Sequence, residues 1–189
     1  MPEQGTVGRT TVELKEGTVL SDAEWAAIIA LCEAAFAKDF SRYFAPFTRP
    51  WRVLVRQDGT LVGHACWVER GLQPAGLPIL NTAYIEAVAT HPDWQRRGYG
   101  KLAMARIAEE ITGYELAALS PAAAPFYERL GWEHWRGPTA IRTDTGLLPT
   151  PEEEIMNPAP AADPTARPRR HEQRRMARRR GVVKAAKSG

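Results

Sequence analysis

Apolar and polar positions along the chain predict a succession of strands and helices. Thr10 to Leu14 reads as a first strand. Ser21-Asp-Ala-Glu24 is a capping box, and Trp25, Ile28, Ile29, Cys32 and Phe36 follow at i, i+3, i+4, i+7 and i+11, one apolar stripe of a helix. A short second helix is expected around Phe40 to Phe44, before Pro50. The β-rich runs Trp51 to Arg56 and Leu61 to Arg70 flank Gln57-Asp-Gly-Thr60 and predict a hairpin. Ile79 to Thr90 is the next strand. Met104, Ile107, Ala108 and Ile111 then make one helical stripe, with Arg106, Glu109 and Glu110 facing away and Thr112-Gly113 as the stop. Glu115 to Leu119 reads as a short buried strand. The helix after it starts either at Ser120-Pro121, with a distorted first turn, or at Pro125, and ends at Gly131. Trp132 to Trp135 opens another strand. The order implies an α/β (α+β) chain, a mixed sheet with helices on its faces.

Length and composition change this picture at one end. The 189 residues allow one domain with a substantial core and an appendage. Beyond Met156 the sequence turns to Pro, Ala and Arg, too poor in apolar groups to offset its ordering entropy. A domain over 1–156 and a disordered tail over 157–189 are therefore expected. The tail holds 10 of the 25 Lys and Arg and 2 of the 22 Asp and Glu, a net of +8, which leaves 15 basic and 20 acidic residues, a net of −5, in 1–156. An acidic body favours a cationic ligand, and a basic tail suits weak, salt-sensitive contact with nucleic acid. No run approaches the roughly 18 apolar residues of a membrane span, and the first residues lack the pattern of a signal peptide. Cys32 and Cys66 lie inside apolar patterns and read as buried thiols, which suits a cytoplasmic protein. His64, His91, His134 and His171 have no Cys or His at ligand spacing, so no metal is expected.

The candidate chemistry concentrates between Tyr84 and Lys101. An apolar strand ends in a turn, continues into the loop Gln95-Arg96-Arg97-Gly98-Tyr99-Gly100-Lys101, and feeds a helix. That order turns the free N–H groups of a helix N-terminus toward an anion, beside three basic side chains. Gly98 and Gly100 let the backbone approach phosphate oxygens without an intervening Cβ. A pyrophosphate cradle is one reading, and an ordinary basic turn before a helix is the other. The pattern is neither a Walker A loop nor a dinucleotide fingerprint.

Gln95-x-x-Gly98-x-Gly100 after an apolar strand resembles the coenzyme A loop of the GNAT family of N-acetyltransferases. Ala124-Pro-Phe-Tyr-Glu-Arg-Leu-Gly-Trp132 is similar to that family's Tyr-bearing helix and following strand. The resemblance implies a mostly antiparallel sheet, acetyl-CoA as co-substrate, and Gln95 to Lys101 as the residues around its pyrophosphate. It also implies that Val88 and Thr90 pair with the pantetheine arm, and that Tyr127 protonates the departing thiolate. Glu86, two residues before Val88 and on the same face of an alternating strand, is the expected general base. Within the family, Phe36-Ala-Lys-Asp-Phe40, Gly63-His-Ala-Cys-Trp-Val-Glu-Arg70, Tyr84-Ile-Glu-Ala-Val-Ala89, Ala118-Leu-Ser120, Trp135-Arg-Gly-Pro-Thr139 and Thr150-Pro-Glu-Glu-Glu154 resemble the aminoglycoside 2′-N-acetyltransferase branch. That likeness implies Asp39, Glu86 and Ser120 as contacts of a polycationic acceptor. The bland alternatives are a helix-end charge at Asp39, a helix cap at Ser120, a structural ion pair at Glu86 and a core aromatic at Tyr127.

The ending departs from that branch. Ile155-Met156 is followed by Asn-Pro-Ala-Pro, which reads as unable to supply a central strand and leaves the strand from Trp132 poorly paired. Other readings are an acetyltransferase for a polyamine, an amino acid or a protein N-terminus, or an inactive body whose tail binds nucleic acid. A homodimer is compatible with each.

Overall fold

The structure is a computed structural model that describes residues 8–159 and 182–185. Two compact units divide the chain, one made of residues up to Val68 with Glu86–Thr112, the other of Glu69–Ile85 with residues from Gly113 onward.

In the first unit, β1 (Thr10–Glu16) precedes α1 (Asp22–Phe36), β2 (Trp51–Gln57), most of β3 (Thr60–Pro74), the end of β4 (Leu80–Thr90) and α2 (Tyr99–Glu110). β1 pairs antiparallel with β2, and β2 antiparallel with β3. Asp58 (φ 49°) and Gly59 (φ 83°) are both left-handed in the turn between β2 and β3. Two positive φ values match the twist of a tight hairpin, which is why Asp-Gly marked this turn. The α1 capping box forms as expected: Ser21 Oγ accepts from Glu24 N, and Glu24 accepts from Ser21 N. Such a cap stabilises a helix by about 1 kcal/mol. The buried face of α1 is Ile28, Leu31 and Cys32, so Leu31 joins the expected stripe, while Trp25 stands at its edge, partly exposed, with its ring 5.3 Å from Phe44. These residues pack with Phe40, Phe44, Leu54, Cys66, Ala87 and Ala89. No helix forms at Phe40 to Phe44. That segment is a series of turns with Tyr43 N to Phe40 O, Ala45 N to Arg42 O and Phe47 N to Phe44 O bonds. Pro46, Phe47 and Pro50 lie too close for an α-helix to propagate.

The second unit takes the rest of β3 and β4 and adds β5 (Leu116–Leu119), α3 (Ala124–Glu128), β6 (Trp132–His134), β7 (Thr139–Thr143), β8 (Gly146–Pro149), β9 (Met156–Pro158) and β10 (Val182–Ala185). β5 runs parallel to β4, with Thr82 opposite Leu116 and Ile85 opposite Leu119. β7 and β8 form a hairpin, and β10 lies antiparallel to β3 and parallel to β7. The sheet is thus mixed and mostly antiparallel, with α2 packed on β1 and β2 and α3 on β6. The helix choice left open in the sequence resolves to Ala124, with Pro125 in the first turn.

The expected gap after Glu154 is not there. β9 lies between β5 and β6, with Leu119 opposite Met156, His134 opposite Met156 and Trp132 opposite Pro158. Ile155 and Met156 are buried, and Trp135 N donates to Ile155 O at 2.7 Å. Burial of two large apolar side chains draws the segment in, and Pro158 sits at the strand's last position, where a missing N–H costs least. Residues 157–159 and 182–185 therefore belong to the described structure. The remainder of the expected tail, 160–181 and 186–189, lies outside the described residues.

Candidate active site

β4 delivers the chain to the basic loop. Thr90 ends the strand, and His91 N donates to Val62 O of β3 at 3.0 Å. His91 Nδ1 then accepts from Asp93 N, and Gln95 Nε2 donates back to Thr90 O at 3.3 Å. Gln95 therefore clasps the two ends of the turn. Arg96 (φ 60°) and Gly98 (φ 90°) are both left-handed, so the chain turns sharply twice just ahead of α2. Gly98 is the N-cap of α2 and offers no side-chain cap. The first backbone bond running from α2 back to this cap is Leu102 N to Gly98 O at 3.0 Å, so the N–H groups of Tyr99, Gly100 and Lys101 precede it. A Cβ built on Gly98 meets nothing within 4 Å, so space lies open over the loop. Arg96, Arg97 and Lys101 are exposed around it, with the Arg97 guanidinium 4.9 Å from the Trp94 ring. The Tyr99 side chain turns inward and donates to Gln57 Oε1 at 3.2 Å, leaving its backbone as the part available to a ligand.

Glu86, Val88 and Thr90 are half-buried on β4. Exposure alternates from Glu86 to Thr90, yet Ala87 is left-handed (φ 49°), a local break in the otherwise extended backbone of the strand. A non-glycine residue held there is uncommon and strained, a pattern that gathers at functional positions. The carbonyls on either side of this break are held by side chains of β3: Cys66 Sγ donates to Glu86 O at 3.4 Å, and His64 Nδ1 lies 2.8 Å from Ala87 O. The Glu86 carboxylate accepts a 2.6 Å bond from Tyr43 OH. Tyr43 was not legible as a site residue, since it stands in the turn segment mistaken for a helix, 43 positions away. Asp39, in the same segment, is fully exposed and accepts from Ser41 N at 2.7 Å. That backbone N–H, with the Ser41 side chain, holds its carboxyl below the usual carboxylate range.

The second unit carries the other two expected residues. Ser120 is exposed just beyond β5. Tyr127 is buried on α3, its ring 4.9 Å from Phe126 and 6.4 Å from Trp132. Burial pushes its hydroxyl up to about 12, so it stays protonated and able to donate at neutral pH. Among the described residues, no group of three or more His, Cys, Asp or Glu is placed to hold a metal, and no helix is long and apolar enough to cross a membrane.

A mostly antiparallel sheet whose β4 leads through a glycine-bearing basic loop into α2 defines an N-acyltransferase type of α+β domain. The family model described as an acetyltransferase (GNAT) domain matches residues 18–135, and the chain belongs to that family. An aminoglycoside 2′-N-acetyltransferase from Mycolicibacterium fortuitum is 35% identical over 99 residues, which cover 51% of this chain and 50% of the relative. The match thus spans about half the length of that protein. Among solved structures, the GNAT family N-acetyltransferase YhbS of Escherichia coli, in complex with CoA, has a TM-score of 0.60 at 12% identity, covering 95% of this chain and 91% of that one. Eis1 of Mycobacterium abscessus has a TM-score of 0.57 at 19% identity, covering 69% and 33%. These likenesses establish the fold.

Proposed function

We propose that the chain transfers an acetyl group from acetyl-CoA to a cationic amine, the sharpest candidate being a 2′-amino group of an aminoglycoside. The observation that carries the reading is the segment from Glu86 to Lys101. Within one unit it joins a hydrogen-bonded carboxylate, a broken strand and a basic helix N-terminus whose first N–H groups precede the bond back to the cap. The pyrophosphate is held by the N–H groups of Gly98 to Lys101 with Arg96, Arg97 and Lys101. Val88 and Thr90 offer backbone groups to the pantetheine arm. Glu86 takes the proton from the acceptor ammonium, directly or through water, and the free amine attacks the thioester carbon. Val88 N–H stabilises the oxygen as charge develops. The C–S bond then breaks as the attacking nitrogen gives its second proton to solvent, and the thiolate is protonated by Tyr127, a role that rests on the resemblance, with the tyrosine recovering its proton from water. Asp39 and Ser120 are the remaining acceptor contacts in this reading, supported only by resemblance. The aminoglycoside assignment rests on the named relative and on the −5 charge of residues 1–156.

The test is acetyl-CoA consumption by the purified chain with aminoglycosides that have or lack a 2′-amino group, with polyamines and with short peptides. Turnover confined to the first group supports the full reading. Turnover with polyamines or peptides alone replaces the acceptor but keeps the chemistry. Acetyl-CoA binding without turnover on any amine defeats the enzymatic reading.

A further inference from the structure

Behind the break in β4 lies a polar chain that the acetyl-transfer chemistry does not itself use. Arg52, on β2, is buried, its guanidinium carbon 4.4 Å from the Phe44 ring and 4.9 Å from the Trp25 ring. Its Nη1 lies 3.2 Å from His64 Nε2, while its Nε has no hydrogen-bond partner among the described residues. His64 is fully buried, and its other nitrogen reaches Ala87 O. Both ends of this chain fix the imidazole. A guanidinium only donates and a carbonyl only accepts. His64 must therefore be neutral, with the proton on Nδ1 and the lone pair of Nε2 turned to Arg52. Desolvation, then the Arg52 charge, lowers its proton affinity to about 3, which agrees with that geometry. An apolar trio would fill the same space at less desolvation cost, so a buried cation and imidazole here call for a purpose.

We infer that Arg52, His64 and Cys66 are positioning residues that hold β4 in its broken conformation at Ala87 and so set the directions of Glu86 and of the Val88 N–H. His64 and Cys66 lie two apart on β3, on one face, and bind the two consecutive carbonyls flanking the break. With those carbonyls pinned, the peptide groups of Glu86 and Ala87 cannot swing back into a regular ladder. Arg52 selects the one tautomer able to do this. The aromatic faces of Trp25 and Phe44 hold Arg52, and among the described residues no carboxylate forms an ion pair with it that would draw the imidazole into its charged form.

The inference rests on β4 being the strand that serves acetyl transfer, and its test separates the two ideas. Nitrogen-15 NMR of the imidazole in the wild-type chain should show a protonated Nδ1 and a bare Nε2 from pH 5 to 8. That measurement needs no activity. A proton on Nε2, or a charged ring in that range, overturns the inference. His64→Asn keeps an N–H near the Nδ1 position, whereas His64→Leu keeps bulk without a donor. His64→Leu should weaken acetyl-CoA binding and lower kcat about tenfold, and His64→Asn should restore both to within about threefold. Equal losses in the two folded variants, or none in His64→Leu, would refute the positioning role. Should His64→Leu not fold, Cys66→Ala replaces it, with a two- to threefold fall in kcat expected and an unchanged kcat counting against the idea. If the wild-type chain binds no acetyl-CoA, the acetyl-transfer reading fails, and the tautomer still decides the geometry.

Discussion

Gly98→Ala isolates what the loop backbone contributes, because the free protein leaves room for the new side chain. Nothing lies within 4 Å of the added Cβ, so the substitution creates no clash in the unliganded state. The remaining cost is conformational. At φ 90° an alanine is strained by about 1–2 kcal/mol, offset by about 0.5–1 kcal/mol from the smaller freedom of the unfolded chain. The net is a loss near 1 kcal/mol, or a fall in Tm of about 2–4 °C for a domain of this size. Coenzyme binding should respond differently. A pyrophosphate resting on the Gly98–Lys101 backbone would occupy the space that the methyl group enters. Calorimetric titration well below the melting point should then show acetyl-CoA affinity reduced at least tenfold, about 1.4 kcal/mol. Gly98→Asp adds a negative charge and should cost more, with part of the extra loss recovered at high salt. A Gly98→Ala chain that melts a few degrees lower yet binds acetyl-CoA within twofold of wild type would show that the ligand does not approach this backbone.

Other expectations follow from the same geometry. Arg96→Gly removes a left-handed non-glycine residue and should leave Tm unchanged or raise it, while acetyl-CoA binding weakens and becomes less sensitive to salt; titrations at two ionic strengths decide it. Glu86→Gln should lower kcat by about a hundredfold or more and Tyr43→Phe by a smaller factor, since the latter leaves the carboxylate in place and removes a 2.6 Å bond to it; steady-state kinetics in which Tyr43→Phe matches wild type would remove Tyr43 from the site. Tyr127→Phe should reduce kcat with little change in acceptor KM, because its proton is needed only as the thiolate leaves. His64 makes folding sensitive to mild acid. Its folded value near 3 lies below the unfolded 6.5, so the unfolded chain binds the extra proton between them, and stability falls as pH drops through that window. The loss at pH 5 is about 2 kcal/mol relative to neutral pH; urea unfolding at pH 7.5 and 5 should show it in wild type and not in His64→Asn. Glu24, held down to about 2 by bonds from Lys15 and Ser21 N, adds its own loss only below about 4.5.

Elements are legible in the sequence where a local rule has one outcome. Ser21 and Glu24 could satisfy each other only at a helix start, and Asp58-Gly59 suited only a tight hairpin. Gly98 and the stripe at Met104 and Ile107 placed α2 to within a residue or two. What escaped depends on distant partners. β9 is three residues with a proline, and it becomes a strand because β5 and β6 leave a slot that Ile155 and Met156 fill. β10 stands in a stretch read as tail because charge and proline dominate its surroundings. The left-handed Ala87 has no signature, since nothing in alanine favours that conformation. A signal for the Arg52–His64 pair did exist. In the β2–β3 hairpin Arg52 lies opposite Cys66 and diagonal to His64, so a lone cation among Val53, Leu54 and Val55 was already next to an imidazole.

The slot filled by β9 has a consequence for the chain during its own synthesis. β5 is complete at Leu119 and β6 at His134, yet the strand that lies between them begins only at Met156. At roughly 5–20 residues per second, the ribosome leaves those two edges without their shared neighbour for on the order of one to a few seconds. During that interval the exposed main-chain groups of β5 and β6 are open to pairing with each other or with a neighbouring nascent chain. A premature β5–β6 pairing would have to open again before Met156 could enter. Slow codons between positions 134 and 156 would lengthen the wait, so the yield of soluble protein should depend on the speed at which this short stretch is translated.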